Sequence, residues 1–445
     1  MKSIIPYSKK RRYLTGIDWV LGAMDHIARK STGIGAISQA VLELDGRLDD
    51  QKLREALDQI SQRFPIIHGR VARDLINLAP FWKAPRAASA GSTPLRVVDL
   101  LADANKEADR LLDDHANMPF GSESLHLRFL LIRLGTEQSR LAMVFDHRLF
   151  DAFGAETFLR LIDETVQGKL DEIAPRVKLT EPAHLDCWAH RVRSGRALIK
   201  VMFPLHEKEI CTLSKPPAEA RKRVRFVKEQ LTPDESARFD VKAGEESIVQ
   251  ILLPSAAARA VLAFRETFPT APMPGEQYLV FTSANQRPSG QEWESLFFNQ
   301  FSFLMFTAPH EVEKPAPVEL ATTLRDQLFE LMRHNVPQKM ADASALWRIF
   351  PHWVVAKIMN TLGKGRMCSM YFACVRETGF PNATFFGLPT KQLTHEPLAF
   401  FPPGMNICMT QFGGRYNIVM SYVDGVLKDE EASAIVTAFK RMLVE

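Results

Sequence analysis

The sequence predicts a two-lobed α/β protein. Its 445 residues suffice for two ordinary domains or for one large two-lobed unit. Strand-like and helix-like patterns alternate in the first half of the chain and resume in the second half. Between the two halves, prolines punctuate residues 171–217, as expected for a connection between lobes.

The composition narrows the class of protein. Apolar residues make up 46% of the chain and charged residues 24%, which argues against disorder. The five cysteines are widely spaced, form no CxxC pair and have no zinc-like spacing with histidine. This pattern predicts reduced thiols and a cytoplasmic location. No apolar signal-peptide core follows the basic residues near the N-terminus.

Local patterns in the first half predict an alternation of strands and helices. Residues 34–44 partly alternate apolar and polar side chains, as a half-buried strand does. Residues 48–65 carry apolar side chains at helical spacing. Residues 125–134 and 140–145 are two apolar runs joined by a short polar turn, which predicts a β-hairpin. A helical pattern follows over 153–166.

The second half predicts a further set of elements. The expected domain organisation is an N-terminal lobe at 1–175, a crossover linker at 176–217 and a C-terminal lobe at 218–445. The patterns in the second lobe predict helices at 247–267, 318–333 and 428–443, and strands at 277–283, 295–306 and 417–423.

A basic stretch falls within and just after this linker. Between Arg191 and Lys228 there are eleven Lys or Arg and three Asp or Glu. One interpretation is a solvated linker face. The other is a docking patch for an anionic partner, such as a coenzyme A phosphate, an acidic carrier protein or anionic lipid. No nucleic-acid recognition motif accompanies the stretch and the net charge is only +4, so no nucleic-acid partner is predicted.

The segment most informative about chemistry is VFDHRLFDAFG at residues 144–154. An apolar strand ends at His147, and a carboxylate, Asp151, follows four residues later. A histidine at a strand end can project from rigid structure into a cleft and act as a general base near neutral pH. A buried Asp151 would pair with an arginine and hold the loop. The alternative is a loop in which His147 caps backbone groups and Asp151 is an ordinary helix N-cap.

This segment resembles the HxxxDG signature of coenzyme A- and carrier-dependent acyltransferases. That superfamily includes chloramphenicol acetyltransferase and the condensation domains of peptide synthetases. The stretch LELDGRLDDQKLREALDQISQRFPIIHGRV is similar to the beginning of condensation domains and polyketide-associated acyltransferases. The resemblance covers nearly the whole chain, although only the central motif is specific. It implies two chloramphenicol-acetyltransferase-like lobes, each a mixed sheet with helices, and an active-site tunnel between them.

Two stretches of the second half extend the resemblance. NQRP at 285–288 resembles the NxR turn of the superfamily, which implies that Arg287 pairs with Asp151; the alternative is a solvated turn residue. LFFNQFSFLMF at 296–306 resembles the strand that lines the cleft. Asn299 is a candidate for polarising the substrate carbonyl, or else a structural amide. The phenylalanines of this run, including Phe301 and Phe303, either line an acyl channel or fill a core.

The motif also departs from the family pattern. Condensation domains usually carry two adjacent histidines, whereas the first of the pair is Asp146 here. Asp146 is a candidate for lining the substrate site and orienting His147, or it points away from it. The residue directly after the motif aspartate is Ala152, and Gly154 comes two positions later. These departures favour, as an alternative to an enzyme, a non-catalytic binding protein of the same fold.

The resemblance implies an acyltransferase with His147 as the general base. An acyl-coenzyme A or phosphopantetheine thioester is the expected co-substrate, free or on an acyl or peptidyl carrier protein, and a small hydroxyl or amine compound is the acceptor. No permanently bound cofactor, no metal and a monomer are expected. A second alternative is a peripheral membrane acyltransferase, because residues 9–12 are basic and residues 345–362 are amphipathic. An amphipathic stretch of this kind is more often a helix packed on its own lobe.

Overall fold

Two six-stranded sheets and a small three-stranded sheet organise the chain. The computed structural model describes residues 11–74, 79–86, 91–179, 188–218, 220, 222–246, 252–268, 275–310, 315–376 and 378–445. The strands are β1 Arg12–Tyr13, β2 Ile37–Asp45, β3 Arg70–Arg73, β4 Pro80–Lys83, β5 Leu95–Leu100, β6 Leu127–Leu134, β7 Gln138–Asp146, β8 Val224–Gln230, β9 Gln277–Asn285, β10 Phe301–Pro309, β11 Met370–Val375, β12 Thr384–Phe385, β13 Leu388–Glu396, β14 Met405–Phe412 and β15 Arg415–Val423. The α-helices are α1 Gly16–Ser31, α2 Asp50–Arg63, α3 Asn105–Ala116, α4 Ala152–Val166, α5 Leu170–Ile173, α6 Trp188–Glu207, α7 Pro233–Glu246, α8 Leu252–Thr267, α9 Pro317–Arg333, α10 Val336–Ser344, α11 His352–Leu362 and α12 Asp429–Val444.

The first sheet has the strand order β12-β13-β2-β7-β6-β5. The predicted strand at 34–44, the hairpin at 125–145 and the helices at 48–65 and 153–166 are present as β2, β6–β7, α2 and α4. Asp49 accepts hydrogen bonds from the backbone nitrogens of Gln51 and Lys52, which fixes the start of α2. The apolar faces of α2 and α4 share one core with the strands of this sheet. The buried residues of α3 pack in a separate cluster with β2, β6 and β7.

The second sheet has the order β10-β9-β11-β14-β15-β8 and combines parallel with antiparallel pairs. Buried side chains of α7, α8, α9 and α12 form one core with it. The predicted helix at 247–267 is present as α8 from Leu252; residues 247–251 lie outside the described residues. The predicted strand at 295–306 begins only at Phe301. Before it, Phe297 and Phe298 are buried in a turn, where Phe298 has a φ of 70°.

The sheet order and one helix bear on the expected domain organisation. Strands β12 and β13 belong to the second half of the chain, yet β13 pairs with β2 and completes the first sheet. A strand from the expected C-terminal lobe at 218–445 thus covers the edge of β2 in the first sheet. The expected crossover linker at 176–217 contains the helix α6, which packs against α10.

Internal ion pairs take up part of the basic stretch. Arg223 lies 2.8 Å from Asp114, and Arg225 lies 3.2 Å from Asp424. Lys228 forms an ion pair with the buried Glu396. These three cations are therefore committed to contacts within the chain, which reduces the charge that a docking patch would offer.

The amphipathic stretch at 345–362 consists of a short 3-10 helix and α11. The ring of His352 packs against Trp19 of α1, with 3.8 Å between the ring centroids. Trp353 on another side of α11 is 57% exposed. Of the basic N-terminal residues, Lys9 and Lys10 lie outside the described residues, and Arg11 pairs with Asp74. Within the described part of the chain, no helix combines the length and apolar content needed to cross a bilayer.

Candidate active site

A cavity of about 500 Å³ is lined by residues of both large sheets, and His147 is one of its lining residues. His147 directly follows β7, and its backbone nitrogen donates a hydrogen bond of 3.1 Å to the carbonyl oxygen of Ala36. The imidazole lies between the rings of Phe145 and Phe301, at centroid distances of 6.3 and 6.0 Å. Its Nδ1 is buried and makes no hydrogen bond to any described residue. The predicted base thus stands on a rigid strand end and faces a cavity.

Asp151 and Arg287 form the ion pair that the resemblance predicts. Arg287 donates two hydrogen bonds to the Asp151 carboxylate, from Nη1 at 2.8 Å and from Nη2 at 2.6 Å. Both side chains are nearly inaccessible to solvent. Asp151 lies at the start of α4 and Arg287 follows β9, so the pair links the two sheets beside His147.

The same carboxylate satisfies backbone groups on both sides. Asp151 caps α4 by accepting from the backbone nitrogen of Gly154 at 2.8 Å, and it accepts from that of Gln300 at 3.0 Å. Burial alone raises the pKa of Asp151, but the Arg287 charge and these hydrogen bonds outweigh burial and lower it. Asp151 is therefore both the N-cap of α4 and the ion-pair partner of Arg287.

Gly154 is required by close packing. A Cβ atom on this residue would lie 2.7 Å from the carbonyl oxygen of Leu296, which belongs to the turn before β10. A backbone atom cannot move aside as a flexible side chain does. The close contact therefore requires glycine at position 154, two residues after Ala152, where α4 packs against the turn before β10.

Replacing Gly154 by Ala should lower the free energy of unfolding. Forced overpacking costs about 1–3 kcal/mol, against a helix-propensity gain of at most about 1 kcal/mol. Gly244→Ala in α7 is the matched control, because nothing lies within 4 Å of its added Cβ. Urea unfolding of both variants checks this. A Gly154→Ala protein as stable as the Gly244→Ala protein would contradict the packing argument.

Asp146 does not line the cavity and its carboxylate turns away from His147. It accepts a 2.9 Å hydrogen bond from Nδ1 of His126 and a 2.6 Å bond from Nη2 of Arg148. His126 also donates from Nε2 to the Gly69 carbonyl oxygen at 2.7 Å. Burial raises the pKa of Asp146, but the Arg148 charge and the hydrogen bonds from His126 and Arg148 outweigh it and lower the pKa. Asp146 therefore holds the loop, and the expectation that it contacts substrate requires correction.

The remaining predicted site residues divide into two groups. Phe301 and Phe303 line the cavity, in an aromatic cluster with Phe400. Asn299 is buried and does not line it; its Nδ2 donates 3.1 Å to the Asp18 carboxylate of α1. The structure thus favours the structural-amide interpretation of Asn299.

Sequence reasoning missed several polar residues of the cavity. Thr282 on β9 lines it, and the buried Thr282 hydroxyl has no hydrogen-bond partner among the described residues. His395 on β13 also lines it and bonds to Glu156 of α4. A carboxylate inside the apolar helical run of 153–166 is a signal that could have identified Glu156. His395 gave no such signal, because β13 has no clear strand pattern.

Several solved structures are similar to this chain. The first condensation domain of the calcium-dependent antibiotic synthetase, in complex with a substrate analogue, is 16% identical with a TM-score of 0.69; the match covers 99% of this chain and 96% of that one. A variant of the starter condensation domain of rhizomide synthetase RzmA, in complex with C8-CoA, is 12% identical with a TM-score of 0.66, over 98% and 94% of the two chains. The SgcC5 protein from Streptomyces globisporus is 15% identical with a TM-score of 0.65, over 97% and 98%.

Sequence comparisons add nothing to these similarities, since no protein-family model and no curated protein matches the sequence. The structural similarity extends over both large sheets and nearly every residue. It agrees with the resemblance that the motif at 144–154 carries. The protein therefore has the two-lobed fold of condensation domains.

Proposed function

We propose that this protein is an acyltransferase. It moves an acyl group from a coenzyme A or carrier-protein thioester to a hydroxyl or amine acceptor, with His147 as the general base. The observation that carries the proposal is the position of His147 at a strand end, inside a cavity between the sheets and beside the Asp151–Arg287 pair. The condensation-domain fold supports an acyl-transfer activity of this general type.

The reaction is a single displacement. The acceptor's oxygen or nitrogen attacks the thioester carbonyl carbon while His147 takes the acceptor's proton. Nε2 is the nitrogen that takes it, because Nδ1 is buried. When the tetrahedral intermediate collapses, the C–S bond breaks and the imidazolium returns the proton to the departing thiolate. Both substrates meet at the base, so no acyl-enzyme is formed and positioning supplies much of the acceleration.

The developing oxyanion needs a hydrogen-bond donor. Thr282 lines the cavity, but its hydroxyl oxygen is as buried as Nδ1 of His147, so it is not placed to serve as that donor. A donor held in a site of low dielectric stabilises the transition-state charge far more than one in water does.

The acyl chain occupies the aromatic side of the cavity. Phe301, Phe303 and Phe400 cluster there with apolar residues of α1. The similar starter condensation domain of rhizomide synthetase RzmA is in complex with C8-CoA. A medium-length acyl chain is therefore the donor group that we propose for the present protein.

The two departures from the family motif, Asp146 and Ala152, leave His147, the Asp151–Arg287 pair and the cavity in place. Asp146 is engaged with His126 and Arg148, and Gly154 provides the close contact that Ala152 does not. A non-catalytic binding protein of the same fold is the alternative. The complete cavity is built within one chain, so we propose a monomer, and the cysteine pattern favours the cytoplasm.

Thiol release from a panel of acyl-coenzyme A thioesters of graded length, with mixed alcohols and amines as acceptors, tests the proposal. We expect release that passes through a maximum at medium chain length. Absence of release from every acyl-coenzyme A and from acylated carrier protein, together with binding of acylated carrier protein, would instead support the non-catalytic alternative.

A further inference from the structure

The cavity has a second histidine that the proposed reaction does not use. His395 on β13 lines the cavity and is only 3% exposed. Its Nε2 donates a 2.8 Å hydrogen bond to the Glu156 carboxylate. Nδ1 makes no hydrogen bond to any residue in the described ranges, and it is not among their fully buried unpaired atoms.

Glu156 fixes how His395 is presented. The Glu156 carboxylate also accepts from the Thr378 hydroxyl at 2.7 Å and from the backbone nitrogen of Gly379 at 2.5 Å. A carboxylate with three donors holds the Nε2–H tautomer and the orientation of the ring. In the neutral imidazole, Nδ1 then carries a lone pair that is available from the cavity.

The surroundings of His395 differ from the aromatic side. Cys374, Cys408 and the exposed Arg376 line the same cavity. Cys374 and Cys408 lie on the paired strands β11 and β14, one residue apart in register. The cavity therefore offers hydrogen-bonding groups in addition to its aromatic rings, and His395 and Arg376 are among them.

The sheet register separates the two histidines. His395 pairs with Ala40, which pairs with Met143, and His147 follows Met143 by four residues. Four residues along a strand and two strand spacings across give roughly 16 Å between the Cα atoms of His147 and His395. A group that contacts His395 is thus several bonds away from the atom that reacts at His147.

We propose that the Glu156–His395 pair is a recognition site for a second polar group of the acceptor, a hydroxyl that donates a hydrogen bond to Nδ1 of His395. This inference rests on the proposed function and specifies its acceptor as a bifunctional compound. The acyl chain lies against the aromatic rings, the reacting amine or alcohol lies at His147, and the distal hydroxyl lies at His395.

Matched acceptors test this site. Thiol release from octanoyl-coenzyme A is measured with ω-amino alcohols of graded chain length and with the alkylamines that lack the hydroxyl. We expect kcat/KM to favour the best amino alcohol by about 10-fold or more, since an unmet buried hydrogen bond costs about 1–3 kcal/mol. His395→Phe should bring this ratio to about one, whatever its absolute rates with the two acceptors. His334→Phe, on the exposed end of α9, should leave the ratio unchanged.

A conservative variant, Glu156→Gln, tests whether Glu156 acts on acceptor recognition through the tautomer of His395. Glu156→Gln should reduce the ratio, because the amide no longer fixes the Nε2–H tautomer. Equal rates for amino alcohol and alkylamine in the wild type would overturn the inference, as would an undiminished preference in folded His395→Phe. Either result leaves the proposed acyl transfer standing.

Nuclear magnetic resonance of protein with ¹⁵N-labelled histidine gives a readout that needs neither turnover nor a variant. The free protein should show His395 as the Nε2–H tautomer, and amino alcohol but not alkylamine should shift its Nδ1 resonance. No shift at saturating amino alcohol would overturn the inference. A shift without thiol release from either acyl-coenzyme A or acylated carrier protein would instead refute the proposed activity and retain the binding site.

Discussion

Replacing His147 by Ala should lower the rate of thiol release by a factor of ~10²–10⁴, the usual contribution of a general base. The imidazole contacts Phe145 and Phe301 only through its ring faces and edges, and its Nδ1 bonds to no described residue. Its removal therefore breaks no hydrogen-bond network, and the loss should appear in kcat rather than in stability.

The control is His334→Ala, which removes an exposed imidazole at the end of α9. Both variants should have the melting temperature of the wild type, and only His147→Ala should lose turnover. A rate in His147→Ala equal to that of the wild type would refute the assignment of the base.

Replacing Arg287 by Ala should lower the free energy of unfolding by about 3–5 kcal/mol, because it leaves the buried Asp151 carboxylate without its counterion. Urea unfolding measures this. The matched control, Arg333→Ala, removes an exposed arginine that pairs with the exposed Glu330 and should change stability by no more than about 1 kcal/mol.

The pH dependence gives the Arg287 prediction a sign. The pKa of Asp151 is lowered in the folded protein, so its ionisation contributes stability above the unfolded pKa of about 3.9. That contribution is lost as pH falls through the folded pKa. The stability difference between the wild type and Arg287→Ala should therefore be full near pH 7 and shrink on acidification, as Asp151 is protonated first in the variant, which lacks the Arg287 charge, and then in the wild type. A difference that stays constant on acidification would contradict the ion-pair account.

Local pattern was sufficient for elements whose partners are near in sequence. The hairpin of β6 and β7, the capped helix α2 and the helix after the motif are all encoded by spacing within a short segment. The Asp151–Arg287 pair joins residues far apart in the chain, and only resemblance to a family predicted it. Resemblance also predicted the fold, which similar condensation domains confirm.

Features that depend on distant partners were not predictable from pattern. Asp146 looked like a neighbour of His147, but His126, twenty residues earlier, fixes its carboxylate elsewhere. Phe297 and Phe298 have the composition of a strand, yet the backbone turns there so that both rings enter the core. Glu156 becomes a site residue only because β13 carries His395 to it across more than half the chain.

The position of β13 has a consequence for how the protein is made. About 340 residues separate the end of β2 from the start of β13, and β2 has its complete set of neighbours only after β13 has been synthesised. At about 5–20 residues per second, a ribosome needs roughly 17–70 s for that interval. During this time the nascent chain exposes an unpaired strand edge, the kind of surface that binds other chains. The cell must therefore protect this protein longest at the sheet that later carries His147 and His395.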